Sequence, residues 1–253
     1  MTKIYLRFKT NKITIKYSDK KDVFSGDLKF AQRKGNKITV QAKFFKRPVR
    51  DRFRYIIMKS HGKWNINYPD GSNVELFTHE KDKKIKSIPD NNILLILESP
   101  HKSEYIIQGN ELIPIAPAAG SAGSNMHEYL ISHIFPMLDF LGINVENDKE
   151  YNLCLVNPVP YQTSLSHVHG RRLNSSLRNK IWKSLYPHCR EDFIKRLQKY
   201  KPIIILNGCT SELKKEITPE LEAYKDIQQF SVSHPQTWKQ YLGSFVKLDY
   251  SKH

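Results

Sequence analysis

Cysteine is scarce: Cys154, Cys189 and Cys209 are far apart, and no two form a CxxC pair. That excludes a disulfide framework and fits a reducing compartment. No apolar run approaches the length of a membrane span. The N-terminus, MTKIYLRFKTNK, alternates apolar and charged residues and lacks the apolar core of a secretory signal. Together these point to a cytoplasmic protein. No segment recurs at a fixed period, which argues against a solenoid. Acidic residues are outnumbered, 25 Asp and Glu against 41 Lys and Arg, for a net charge of +16. The hydrophobic fraction of 39% is enough for a packed core, so wholesale disorder is not expected.

The positive surplus is uneven. Residues 1–90 hold 23 Lys and Arg against 9 Asp and Glu, and residues 91–253 hold 18 against 16. Such a surplus suits a polyanion, nucleic acid first, although lysine that merely solvates a surface would give the same count. The first ninety residues read as five or six short strands. Ile4–Phe8 and Lys12–Tyr17 flank a Thr10-Asn11 turn. Lys37–Phe44, Arg54–Met58, Lys63–Tyr68 and Val74–Phe77 follow, with turn signals at Gly35-Asn36, His61-Gly62 and Pro69-Asp70-Gly71. The expectation is a small basic all-β domain over residues 1–88, with a polar linker at Glu80–Ile88. Arg47, Arg50, Arg52 and Arg54 interleave with Phe53 and Tyr55. They suit contacts to a DNA backbone, or equally a strand with rings inward and cations solvated.

Residues 89–253 alternate strands and helices. Ile93–Leu97 is an unbroken apolar run, followed at once by Glu98-Ser99-Pro100-His101. A short run of that kind reads as a strand buried on both faces, with its polar residues at the carboxyl end. A Pro-, Ala- and Gly-rich loop leads to a helix expected near Asn125, with Glu128 completing a capping box and Pro136 kinking it. Tyr151–Val156 is the second strand and ends in Asn157-Pro158. Ser166–Arg178 looks weakly structured, and Arg190–Tyr200 reads as a helix. Pro202–Leu206 is the third strand and runs into Asn207-Gly208-Cys209-Thr210. Ile227–Val232 is the fourth and runs into Ser233-His234-Pro235. The predicted fold is α/β: a three-layer α/β/α domain around a four-stranded, mainly parallel sheet. In such sheets ligands bind at the carboxyl edge, where Glu98, Asn157, Gly208 and His234 would meet.

These segments, in this order, resemble the uracil-DNA glycosylase superfamily. Leu97-Glu98-Ser99-Pro100-His101 is similar to its first motif, and Gly120-Ser121-Ala122-Gly123 to the Gly-x-Ala-Gly of one branch. Asn157 stands where the family's base-reading asparagine stands. Ser233-His234-Pro235 resembles the start of its last motif. The likeness covers residues 93–238 and leaves the basic N-terminal part unaccounted for. Leu97 replaces the usual first glycine, and three cysteines cannot supply a four-cysteine cluster, so no cofactor is expected. The resemblance implies a DNA partner and excision of a base, with the atypical turns suggesting a modified pyrimidine. One branch removes modified cytosines as a defence against phage.

On that resemblance Glu98, His234 and Asn157 are the catalytic candidates. Glu98 would orient water and stabilise a cationic sugar, and His234 would donate to the departing base. Asn157, with donor and acceptor, suits a base edge. Ser99, Pro100 and His101 would shape the base pocket, and Tyr105 or Tyr161 would stack on the base. Gly208 would offer backbone N–H groups to a phosphate, and Ser233 would contact the DNA backbone. Trp238 is a DNA wedge on this reading and core on the plainer one. His167, His169, His188 and Cys189 match no zinc spacing, so no metal is expected. A non-catalytic nucleic-acid-binding protein on the same scaffold is the alternative. An esterase using Ser99 or Ser124 lacks the Gly-x-Ser-x-Gly elbow.

Overall fold

The structure, a computed structural model, describes residues 3–7, 12–16, 31–34, 37–40, 47–68, 88–109, 111–169, 175–240 and 246–248. Strands β1 (Lys3–Arg7), β2 (Lys12–Lys16), β3 (Ala31–Lys34) and β4 (Lys37–Val40) pair antiparallel in the order β1-β2-β4-β3. The Thr10-Asn11 turn, the strand expected at Val74–Phe77 and nearly all of the expected linker lie outside the described residues.

Strands β5 (Arg52–Ser60) and β6 (Lys63–Asn67) do not join that sheet. They form a hairpin whose turn residues, His61 and Gly62, have φ of +48° and +74°. Positive φ at both positions matches the right-handed twist of the flanking strands. The hairpin belongs to a second sheet, so a domain boundary at residue 88 is corrected: it would cut that sheet in two. Tyr55 and Ile57 on β5 are fully buried, and a buried ion pair fastens the segment before them. Arg196 Nη1 donates to both oxygens of Asp51 at 2.8 Å. Tyr200 Oη donates to the same carboxylate at 2.9 Å. Burial pushes the Asp51 pKa up, and Arg196 opposes it.

The second sheet is built in chain order from β5, β6, β7 (Asn92–Ile96), β10 (Glu150–Val156), β11 (Pro202–Asn207), β12 (Gln228–Ser231) and β13 (Val246–Leu248). A separate hairpin, β8 (Tyr105–Gln108) with β9 (Glu111–Pro114), lies between β7 and β10 in the chain. The helices are α1 (Ser121–Tyr129), α2 (Phe135–Phe140), α3 (Ser166–His169), α4 (Ser175–Tyr200) and α5 (Ser211–Glu222). The strand order is β13-β12-β11-β7-β10-β5-β6. Strands β12, β11, β7 and β10 run parallel, and β13, β5 and β6 add antiparallel edges. The protein is thus α/β, with a mixed sheet of seven strands, not four, among the described residues.

Alternation along the strands sorts the core into two. Leu94, Ile96, Cys154, Val156 and Ile205 pack with Ile181, Trp182, Leu185 and Phe193 of α4 and Leu213 and Ile217 of α5. Ile93, Leu95, Leu153, Leu155 and Leu206 pack with Met126 of α1, Leu130, Ile134, and Phe135 and Leu138 of α2. β7 is buried at every position, as a central strand covered on both faces must be.

Three local expectations are corrected. α1 begins at Ser121, not near Asn125, because Gly120 ends the loop. The expected kink at Pro136 is a π turn at Leu130–Ile134, where the proline's missing N–H is accommodated. α4 begins at Ser175, not Arg190, and continues through Pro187. Leu177, Ile181, Leu185, Cys189, Phe193 and Leu197 hold one face of it against the sheet, which outweighs the one lost hydrogen bond.

Candidate active site

The chain leaves β7 through Leu97, whose N–H still bonds Val156 O at 2.8 Å. The next residue, Glu98, is 5% exposed. Its Oε1 accepts the Thr210 N–H at 2.7 Å, and its Oε2 lies 3.2 Å from Arg178 Nη1. Its carbonyl accepts from Trp182 Nε1 at 2.8 Å. Backbone, helix α4 and the β11 turn thus all fix this carboxylate. Arg178 is held in turn by Asn179 Oδ1, at 3.1 and 3.0 Å, and Asn179 donates to Glu212 at 2.6 Å.

His234 follows β12 and opens a 3-10 turn at Pro235–Thr237. The Gln236 N–H points to His234 Nδ1 at 3.2 Å, which leaves the ring proton of the neutral imidazole on Nε2. Burial pushes the imidazole pKa down, the Glu98 carboxylate pulls it up, and Arg178, His101 and Lys214 push it down again. Asn125 of α1 donates to the carbonyls of Pro235 and Gln236 at 2.9 and 3.1 Å and so anchors this turn. Ser99 Oγ and Thr163 Oγ1, 2.6 Å apart, tie the β7 loop to the loop after β10.

Glu98 and His234 line one cleft that opens to solvent, together with Leu97, Ser99, Pro100, His101, Ser103, Glu104, Gly120, Ser121, Ala122, Ser164, Arg178 and Gln236. It lies at the carboxyl edge of the parallel strands. One wall is a close approach of two segments. A Cβ on Gly120 would meet Ser103 Oγ at 2.1 Å, and one on Gly123 would meet Ala118 O at 1.9 Å. Gly123→Ala should therefore cost at least about 2 kcal/mol in denaturant unfolding, because backbone, not a flexible tip, must move.

Several expected residues fall elsewhere. Asn157 is buried at the end of β10 and is not part of the lining; its Oδ1 has no partner among the described residues. Tyr105 is buried in the core below, with its Oη 3.4 Å from Pro160 O, and Tyr161 packs against the same core. The described lining holds no Phe, Tyr or Trp, so neither ring stacks on a ligand there. Gly208 gives its N–H to Ile96 O at 2.8 Å. Cys209 N–H goes to Asn207 Oδ1 and Thr210 N–H to Glu98. The expected phosphate cradle is thus spent inside the fold, and Gly208 serves the close approach, since its Cβ would lie 3.1 Å from Ile96 O. Trp238 is fully buried with Nε1 bonded to Ser233 O at 2.8 Å, so it is core and not a wedge. Ser233 is half-buried beside it and outside the lining.

Of the arginines, Arg50 and Arg52 are exposed, and Arg47 pairs with Glu111 at 2.8 Å. Arg54 is 6% exposed, which removes it from any phosphate-contacting face. Its guanidinium reaches within 3.2 Å of where a Gly123 Cβ would stand.

Two cleft residues have no signal in the sequence: Arg178, inside a helix whose start is obscured, and Glu104. Glu104 closes a 3-10 turn at Lys102–Glu104 and is 5% exposed. Burial drives its pKa up to about 8, against the lowering effect of backbone N–H groups and Arg54. Its carboxyl is therefore neutral at pH 7 in the folded chain and ionised in the unfolded one. A raised carboxyl pKa stabilises the fold below 4.5 and loses that contribution as pH rises towards about 8. The loss is on the order of 4 kcal/mol. Unfolding measured from pH 5 to 9 should show this decline, and Glu104→Gln should flatten it.

Among the described residues, no group of three His, Cys, Asp or Glu is placed to hold a metal ion, and no helix is long and apolar enough to cross a membrane. The site is a fixed carboxylate and a half-buried imidazole facing one open cleft in an α/β protein. No family model, no curated protein and no solved structure matches the chain.

Proposed function

We propose that the protein is a DNA glycosylase of the uracil-DNA glycosylase type, which flips a pyrimidine, probed first as a modified cytosine, into the cleft and releases it by hydrolysis. The reading includes a cytoplasmic protein acting on phage or otherwise modified DNA. The observation that carries it is the meeting of Glu98 and His234, remote in the chain, on one cleft at the strand ends.

The chemistry asks for two opposite charges. As the N-glycosidic bond breaks, its electrons leave with the base and C1′ becomes cationic. The Glu98 carboxylate stabilises that cation and orients the water whose oxygen bonds C1′ and whose proton passes to solvent. His234 Nε2–H donates to the base oxygen that gains negative charge. A neutral imidazole suits this role because it presents a donor without a cation facing C1′. Arg178 pairs with Glu98 and aims it, and the exposed Arg50 and Arg52 are candidates for DNA phosphates. Asn157, Tyr105, Tyr161, Gly208 and Trp238 take no part in this scheme.

A second reading has one observation in its favour. Both carboxyl oxygens of Glu98 already have protein partners, Thr210 and Arg178. A scaffold that binds nucleic acid without catalysis would leave them so. Incubation with duplexes carrying unmodified or modified pyrimidines, followed by hot alkali, separates the two. Alkali-labile sites are expected on the glycosylase reading. Retained binding with uncut DNA on every substrate supports the non-catalytic one.

A further inference from the structure

The sheet β1-β2-β4-β3 takes no part in the scheme above, yet its register sorts its residues by chemistry. In an antiparallel sheet, residues directly opposite one another share a face, and successive residues of a strand alternate faces. Read across β1, β2, β4 and β3, one row is Lys3, Lys16, Lys37 and Lys34. Two residues along each strand, and so on the same face, the row is Tyr5, Thr14, Thr39 and Gln32. A third row on that face pairs Arg7 with Lys12. Rows of four, four and two make ten positions, of which six are cationic and none is acidic. The intervening rows make the other face: Ile4, Ile15, Ile38 and Arg33, then Leu6, Ile13, Val40 and Ala31. Val40 tells which face is inward. It is fully buried in the core that Leu94, Ile181 and Trp182 share, whereas Thr39 is only half-buried. The cationic face is the one turned from that core.

We propose that this face binds the sugar–phosphate backbone of nucleic acid, with the row Lys3, Lys16, Lys37 and Lys34 as its phosphate contacts. The inference rests on the nucleic-acid reading in either of its forms, glycosylase or non-catalytic scaffold, and adds the surface that supplies affinity. Phosphate contacts hold and orient a duplex without reading its sequence. The sheet therefore acts on DNA binding and not on excision once DNA is bound.

Edge protection does not account for these lysines. Lysine guards the rim of a sheet against stray pairing, but Lys16 and Lys37 lie on its two inner strands. Solubility does not account for them either, since a solvated surface mixes both signs and this face has no acid. Like charges directly opposite one another destabilise a sheet, and a bound polyanion relieves that repulsion. Adjacent strands lie about 4.8 Å apart, so a row across four strands runs roughly 14 Å. Duplex DNA carries a charge for about every 1.7 Å of its axis, which offers such a row more than one phosphate. A membrane surface would ask for Trp, Phe or Leu among the cations. The row beside the lysines has instead two threonines, a glutamine and one tyrosine, which suit phosphate oxygens and sugars.

The test uses the full chain. One variant combines Lys3→Gln, Lys16→Gln, Lys34→Gln and Lys37→Gln. A control variant changes four exposed lysines elsewhere, Lys199, Lys201, Lys215 and Lys225, to Gln. Affinity for a short unmodified duplex is measured across a potassium chloride series. Loss of the row should weaken binding at least about tenfold at physiological salt. It should also shallow the plot of log affinity against log salt by about 3.6, at about 0.9 for each phosphate contact. The control should change that slope by less than about one. Arginine at the same four positions should keep both affinity and slope, and thermal unfolding of the Gln variant should hold or rise, because facing charges are gone. Equal losses in the row and control variants, or a loss that arginine does not spare, overturn the proposal. So does a row variant that binds the duplex as before, or that loses only its binding to phosphatidylserine vesicles. In all of these cases, binding of the duplex by the wild type leaves the nucleic-acid reading standing. A wild-type chain that binds no duplex at any salt overturns both together.

Discussion

On the proposed glycosylase reading, Glu98→Gln should reduce base excision by about a thousandfold or more while the protein stays folded. Gln matches Glu in shape and keeps an oxygen for the Thr210 N–H at the position now 2.7 Å away. What is lost is the ion pair to Arg178 and, on that reading, the negative charge beside C1′. Arg178 is about a quarter exposed and retains Asn179 Oδ1, so water and one partner remain for it. The expected stability loss is about 1 kcal/mol. Single-turnover excision and thermal unfolding, read on the same preparation, separate the two effects. A large fall in rate with little change in unfolding is the expected pattern. Comparable falls in both would make Glu98 a structural residue.

Removal of residues 1–88 should abolish folding of the remainder. The deletion takes away β5 and β6, and with β5 the whole of one neighbour of β10. It strips fully buried Tyr55 and Ile57 from the core. It also leaves Arg196 without Asp51, a cost of roughly 3–5 kcal/mol alone. Loss of two core side chains adds several more, which exceeds what a domain of this size can spare. Circular dichroism and gel filtration of a chain beginning at residue 89 check this. A monomeric, cooperatively unfolding product would show that β5 is dispensable.

The β5–β6 hairpin is legible in the sequence only in part. Its turn at His61-Gly62 and the strands on either side follow from turn chemistry. Which sheet they join does not, because a basic, alternating strand looks alike at either sheet's edge. Asp51 decides it through a contact with Arg196 on a distant helix, and no local pattern announces such a pair. β7 and Glu98 are legible for a different reason: an unbroken apolar run fits a strand covered on both faces, and a carboxylate directly after it must sit at the strand's end. His234 is legible from its place after the last parallel strand.

The misassigned residues share a cause. Gly208, Trp238 and Tyr105 stand near strand ends and are of types that often serve there. Each side chain or N–H has an inward partner instead: Ile96 O, Ser233 O and Pro160 O. Arg54 falls in sequence among three other arginines, but of Arg50, Arg52 and Arg54 it is the one that is buried. Arg178 and Glu104 stay hidden because charged residues in polar stretches read as surface, and only the tertiary fold closes a wall over them.

The most direct test of the central claim is to count free bases. Duplexes with unmodified and modified pyrimidines, incubated with the full chain in ¹⁸O-water, would be analysed by mass spectrometry for released base and for label at the sugar. Paired hydrolysis at Glu98 and His234 predicts one free base per new abasic site, with one ¹⁸O on C1′, and neither product from Glu98→Gln. Intact base content on every duplex bound, or equal release by Glu98→Gln, would contradict it.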